Sequence, residues 1–159
     1  MTLSHVDAEG RARMVDVGDK PVTDRQARAG GAIVMSRDAL DLVRRNSGPK
    51  GDVLATAELA GVMGAKRTPE LIPLCHPVPI DHVTVHAEVD ETLPGIRVEA
   101  SVRASGRTGV EMEALTAATV ALLTVYDMVK AAGYELRIEG VELLAKSGGR
   151  HGTWTRGIK

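Results

Sequence analysis

Phenylalanine is absent from the 159-residue sequence, which has one tryptophan and two tyrosines. So few aromatic faces leave no platform on which unpaired bases could stack, which argues against a single-strand nucleic-acid binder. Neither sign of charge is in excess: 20 Lys+Arg stand against 21 Asp+Glu, a formal net charge of −1. Without a broad basic field, general DNA or RNA binding is disfavoured. A single cysteine, Cys75, rules out an intrachain disulfide and any CxxC zinc motif. No N-terminal segment joins a basic start to an apolar run, so no secretory signal is expected and the chain reads as soluble and cytoplasmic. Internal repeats and low-complexity linkers are missing too. The length suits one domain over residues 1–159, with the polar, Gly-containing stretches 1–28 and 147–159 as mobile arms.

Aliphatic residues are plentiful, and they fall into two periodicities. The longest apolar run, 110–129, has the length of a membrane span but carries Glu111, Glu113 and Asp127. Each would cost about 2.5–3.5 kcal/mol near a bilayer centre, so the run reads as a helix buried in protein. Its Ala, Leu and Met content favours helix, and Gly133 is a fitting stop. Because its apolar residues occupy nearly every face, it needs cover on more than one side, part of it expected from another subunit. Before it, Val83, Val85, Ala87 and Val89 alternate with polar residues, as do Ile96, Val98, Ala100, Val102 and Ala104. Joined by the turn-forming segment 90–95, they predict a hairpin with one buried face. After the long helix, Leu136 and Ile138 differ in parity from Val141, Leu143 and Ala145, and a bulge at Gly140 would reconcile them. Upstream lie a short strand at 32–35 and helices near 38–45 and 51–66. Strand, helix, strand, strand, helix, strand is the split βαβ order of an α+β fold, an antiparallel sheet with its helices on one face.

Several polar residues stand out against this background. Lys50, at the entrance of the 51–66 helix, is either a solvated loop lysine or half of an anion site where helix N–H groups and an ammonium converge. Asp127 and Lys130 share a helix face, as a plain ion pair or as a proton-transfer pair. Glu111 and Glu113 open the same helix, where the helix dipole stabilises carboxylates. Seventeen residues separate Glu113 from Lys130, about 25 Å of helix, so one small-molecule pocket lined by both ends must combine two subunits. Pro69, Pro73, Pro77 and Pro79 predict a stiff, extended path that mounts Cys75 and His76. Lys146-Ser147-Gly148-Gly149-Arg150-His151-Gly152 is a basic glycine-rich turn able to cradle phosphate, without the order of a P-loop.

Six blocks then occur in order: Met14-Val15-Asp16-Val17, Lys50-Gly51-Asp52-Val53-Leu54, Leu71-Ile72-Pro73-Leu74-Cys75-His76-Pro77, Gly109-Val110-Glu111-Met112-Glu113-Ala114-Leu115-Thr116, Tyr126-Asp127-Met128-Val129-Lys130-Ala131 and Lys146-Ser147-Gly148-Gly149. Together they closely resemble the cyclic pyranopterin monophosphate synthase family of molybdenum cofactor biosynthesis, over residues 5–152. The resemblance implies a ferredoxin-like fold and a lyase that converts (8S)-3',8-cyclo-7,8-dihydroguanosine 5'-triphosphate to cyclic pyranopterin monophosphate, releasing diphosphate. It implies no redox change and no cofactor; the residues themselves show no all-protein metal site, and whether magnesium accompanies the triphosphate stays open. It also implies a hexamer of three dimers with active sites at subunit interfaces. The family's active-site aspartate falls on Asp127 and its lysines on Lys50 and Lys130. Its substrate-contacting blocks fall on Leu74, Cys75 and His76 and on Met112 and Glu113. Arg150-His151 stands where the family pattern has Lys-Ser.

A triphosphate needs clustered cations, for which Lys50, Lys146, Arg25 and Arg28 are candidates. Ring opening and closure need proton donors and acceptors, for which Asp127, Lys130 and His76 are candidates, with Lys130 as acid/base and Lys50 on the phosphate side. Two other classes compete. A regulatory module binding a phosphorylated small molecule would use the same strand order. A metal protein would use Cys75, His76, His82 and His86, although no strong zinc spacing is present.

Overall fold

A computed structural model describes residues 6, 9–46, 50–150 and 152–157. In chain order the elements are β1 (Thr23–Val34), α1 (Arg37–Arg44), α2 (Val53–Lys66), α3 (Thr68–Leu71), β2 (Ile80–Asp90), β3 (Gly95–Gly106), α4 (Glu111–Val129), a 3₁₀ turn (Lys130–Ala132), β4 (Arg137–Ser147) and β5 (Trp154–Thr155). The strands form one antiparallel sheet in the order β2-β3-β1-β4-β5. The first four strands give the ferredoxin-like split βαβ arrangement expected from the sequence.

The alternation in the hairpin becomes two faces of the sheet. Val85, Ala100, Ala29 and Leu143 form one row across β2, β3, β1 and β4. The small residues lie in the middle of that row, so α4 approaches the sheet closely there. Ile33, Ile96, Val98, Val102, Leu122 and Val125 fill the layer between α4 and the sheet and are all buried. Beside α4 lies α2, joined to it through small residues. A Cβ on Gly61 would come within 2.9 Å of the Ala117 carbonyl, so the two helices meet almost backbone to backbone.

The stretch Glu111–Ala132 is long and apolar enough to cross a bilayer, yet half of it is buried within the protein. It is the core helix of the sheet, as its acidic residues demand. Cover is incomplete all the same: Leu59 and Met63 on α2 and Leu123 on α4 remain exposed. The stop falls as expected, with Gly133 closing the 3₁₀ turn through its N–H to the Lys130 carbonyl at 3.2 Å.

In β4, Gly30 faces Glu142 while Ala32 faces Glu139, so two residues oppose Gly31 alone. This is the bulge expected at Gly140, whose φ is +62°. Val141 turns towards Gly31 and Leu122 but stays partly exposed, and Leu143 faces α4 opposite Ala29. A second register shift sets Ala145 opposite Arg28 on the other face, so the expectation that all three face inward fails for Ala145.

Three boundaries differ from expectation. The strand expected at 32–35 is the end of a twelve-residue central strand that begins at Thr23, so 23–28 belong to the sheet and not to an arm. At the other end, Ser147 completes β4 and Trp154–Thr155 pairs with it. The remaining arm residues 1–5, 7, 8, 151, 158 and 159 lie outside the described residues. Pro69 lies in the first turn of the one-turn helix α3 rather than on an extended path, because a proline there gives up no intrahelical hydrogen bond.

Candidate active site

At the C-terminal end of α4, Asp127 and Lys130 occupy the same face one turn apart. The Lys130 Nζ lies 2.7 Å from Asp127 Oδ1, and the Lys50 Nζ lies 2.6 Å from Asp127 Oδ2. Lys50 also donates to the Asp127 backbone carbonyl at 3.1 Å. The carboxylate is therefore gripped by two ammonium groups on an exposed surface. They hold its pKa at about 2, through hydrogen bonds to Lys130 and then Lys50, while Asp127 pushes Lys130 above its ordinary value. At the start of α2 the helix N–H groups and the Lys50 ammonium both meet carboxylates of the chain itself. Asp52 caps that helix, accepting from the Ala55 N–H at 3.0 Å, and Lys50 turns to Asp127 instead.

At the other end of α4 a cavity of about 680 Å³ opens between the connector after α3, the first turn of α4, and the adjoining ends of β1 and β4. Leu74, Cys75 and His76 line it from the connector, Met112 from α4, Arg25 from β1 and Lys146 from β4. Lys146 stands opposite Ala27 on the helix face of the sheet, and its Nζ reaches Glu111 Oε1 at 3.0 Å. Glu113 points inward behind this wall and is 1% exposed. Its Oε1 accepts a weak hydrogen bond from Cys75 Sγ at 3.5 Å, and its Oε2 is buried without a partner. Burial, above all, raises the Glu113 pKa. Burial and then the Glu113 charge push the Cys75 thiol up to about 11. A thiol with so high a pKa is a poor nucleophile at neutral pH, so Cys75 serves the site as wall and hydrogen-bond donor.

The structure thus gathers Leu74, Cys75, His76, Met112, Lys146 and Arg25 around one cavity, with Glu113 behind them, and gathers Lys50, Asp127 and Lys130 into a separate cluster. The two groups sit at opposite ends of α4, about 25 Å apart along its axis. Arg28 must be removed from the triphosphate candidates. Three residues beyond Arg25 on an extended strand, it projects from the opposite face and pairs with Glu99 at 2.8 Å. The histidines of the metal reading are divided as well. His76 lines the cavity, whereas His82 on β2 contacts the Thr84 hydroxyl at 3.0 Å and His86 faces Glu58 and Glu88. Among the described residues no three His, Cys, Asp or Glu side chains are grouped to hold a metal ion.

Sequence reading missed Glu111, Lys20, Arg107 and Thr23 as cavity residues. Glu111 was accounted for by the helix dipole, and nothing in its local spacing announces Lys146, 35 positions later. The hydroxyl of Thr23 is buried without a partner. Only the antiparallel register brings these segments together.

The structure is a ferredoxin-like sheet with a partly cationic cavity at one end of its core helix and a Lys–Asp–Lys cluster at the other, and its sequence matches the MoaC family. That family's profile matches residues 14–149, and the chain belongs to it. A cyclic pyranopterin monophosphate synthase of Methylobacterium sp. (strain 4-46) is 61% identical over 153 residues, covering 96% of each chain. The protein of the same name from Cereibacter sphaeroides (strain KD131) is 57% identical over 150 residues, 94% of each chain. Its namesake from Chloroflexus aggregans is 54% identical over 154 residues, 97% of this chain and 93% of that one.

Proposed function

We propose that this protein is a cyclic pyranopterin monophosphate synthase. It is a lyase that converts (8S)-3',8-cyclo-7,8-dihydroguanosine 5'-triphosphate to cyclic pyranopterin monophosphate and diphosphate in molybdenum cofactor biosynthesis. The observation that carries this reading is near-complete coverage by relatives of that name, at 54–61% identity. A GTP-derived substrate also supports a cytoplasmic location.

Forming the cyclic phosphate needs a ribose-derived hydroxyl oxygen to attack the α-phosphorus. The bond from that phosphorus to the bridging oxygen breaks, and its electron pair leaves with diphosphate, so the step is intramolecular and consumes no net water. Positioning and cationic stabilisation carry most of such a step. Lys50 acts on the phosphate side, with Lys146 supplying charge in the cavity. Lys130 is the acid/base: its raised pKa supports its starting protonated, as the donor to a ring atom, with Asp127 holding the ammonium in place. His76, on the cavity wall, is the second proton carrier. Leu74, Cys75 and Met112 form the surface against the ring system, with Glu113 behind Cys75.

One substrate must meet both ends of α4, so the working unit is an oligomer, a hexamer of three dimers in which each site joins the cavity of one protomer to the Lys50–Asp127–Lys130 cluster of another. The exposed apolar Leu59, Met63 and Leu123 on the helix layer support such an assembly. Incubation with the cyclised dihydro-GTP triphosphate tests the reading. One diphosphate is expected per pterin formed. Saturable binding without diphosphate release would instead favour the regulatory module.

A further inference from the structure

We infer that Arg25 is a positioning residue: it clamps the loop before α4 to the turn after β4 and so builds the cationic wall of the cavity, rather than serving as an anion ligand. The inference rests on the cavity being the substrate site. Arg25 lies near the start of β1, opposite Ala104 of β3. Its Nε donates to the Gly106 carbonyl at 3.3 Å and its Nη2 to the Arg107 carbonyl at 3.4 Å. These successive carbonyls belong to the loop that leads into α4, and the planar guanidinium fork addresses both at once, which an ammonium cannot do in the same geometry.

The opposite side of the same guanidinium rests on the turn after β4. A Cβ on Gly149 would occupy the place of the Arg25 guanidinium, and a Cβ on Gly148 would collide with the Asp24 carbonyl. Gly148 and Gly149 have left-handed φ values, +92° and +70° respectively. Two glycines and two carbonyls, contributed by separate segments, therefore enclose one side chain. The segments it joins carry Glu111 and Lys146, whose ion pair bridges them again at 3.0 Å. With its fork turned to backbone carbonyls, Arg25 fixes the distance between these two, and thereby the position of the Lys146 ammonium in the cavity.

A clamp and a ligand respond differently to Arg25→Lys, which keeps the charge and loses the fork. In the assembled protein, a clamp predicts that Arg25→Lys raises KM for the cyclic triphosphate about tenfold, as Arg25→Ala does, with kcat changed much less. Gly149→Ala removes no charge and should raise KM similarly. In the Arg25→Ala background the clash with the guanidinium is gone and only the cost of a left-handed alanine remains, so the combined effect should fall well short of additive. Hydrogen exchange of the 106–109 and 148–150 amides should accelerate in Arg25→Lys and Gly149→Ala alike. Full rescue of KM by lysine, additive effects of the two sites, or unchanged exchange in Arg25→Lys would each overturn the clamp. If the wild-type protein releases no diphosphate, the enzymatic reading fails, and the exchange measurement still decides the clamp.

Discussion

Lys130→Ala should lower kcat about a thousandfold while leaving the fold intact, the scale expected when a proton donor and a cation are removed together. Lys130 is half exposed and is not one of the buried core residues, so its loss does not threaten the sheet or α4. Lys130→Arg separates the two contributions. It keeps a positive charge beside Asp127, but an arginine does not give up its proton near neutrality. If Lys130 acts as acid/base, arginine should rescue little. If it serves only as a cation, arginine should restore most of the rate. The pH range of the cluster follows from its pKa directions. Asp127 lies below its ordinary 3.8, so its contribution is complete above that value and is lost as pH falls towards about 2. Lys130 lies above its ordinary 10.5, so its contribution is complete below that value and fades only at higher pH. An acidic limb in kcat at a pH between those two values would therefore belong to a group outside this cluster.

Glu113→Met should move stability and activity in opposite directions. The wild-type side chain is buried with one oxygen unpartnered, an arrangement that costs roughly 1–3 kcal/mol. Methionine has similar length and no polar atom, so the urea midpoint should rise by an amount of that order. Turnover should fall about a hundredfold or more, because a carboxyl retained at such a cost is retained for the substrate. The sign of the pH dependence is fixed too. Glu113 is raised above its ordinary 4.5 in the folded state, so the native protein holds its proton longer than the unfolded chain does. Wild-type stability falls as pH rises from 4.5 towards the folded value, and the advantage of Glu113→Met widens over that range. A Glu113→Met protein that is both less stable and fully active would make Glu113 a structural residue.

The hairpin was legible because Val83 to Val89 and Ile96 to Ala104 alternate strictly and one face of the sheet is buried, so pattern and packing agree. The bulge at Gly140 was legible because a parity switch on one face has few other solutions. The first nine residues of the strand that ends at Val34 were not. Their inward positions are Arg25, Ala27, Ala29 and Gly31, which read as poor strand formers. Ala27, Ala29 and Gly31 are small because α4 presses on them: a Cβ at Gly31 would come within 2.9 Å of both Leu122 and Val141. Tertiary packing decided residues that local propensity could not. The cavity was half legible for a similar reason. Leu74-Cys75-His76 and Met112-Glu113 are compact blocks, whereas Glu111, Thr23 and Arg107 become neighbours of Lys146 and Arg25 only through strand register.

Subunit complementation tests the two-protomer site most directly. Lys130→Ala and Lys146→Ala protomers, each nearly inactive alone, are mixed and allowed to exchange subunits. If each site takes Lys130 from one chain and Lys146 from its neighbour, a mixed pair contains one site with both lysines intact. Random pairing should then recover on the order of a quarter of wild-type activity. Mixing Lys130→Ala with Lys50→Ala should recover nothing, since both lysines come from the same chain. Mixed oligomers that form and stay inactive for Lys130→Ala with Lys146→Ala would contradict the shared site.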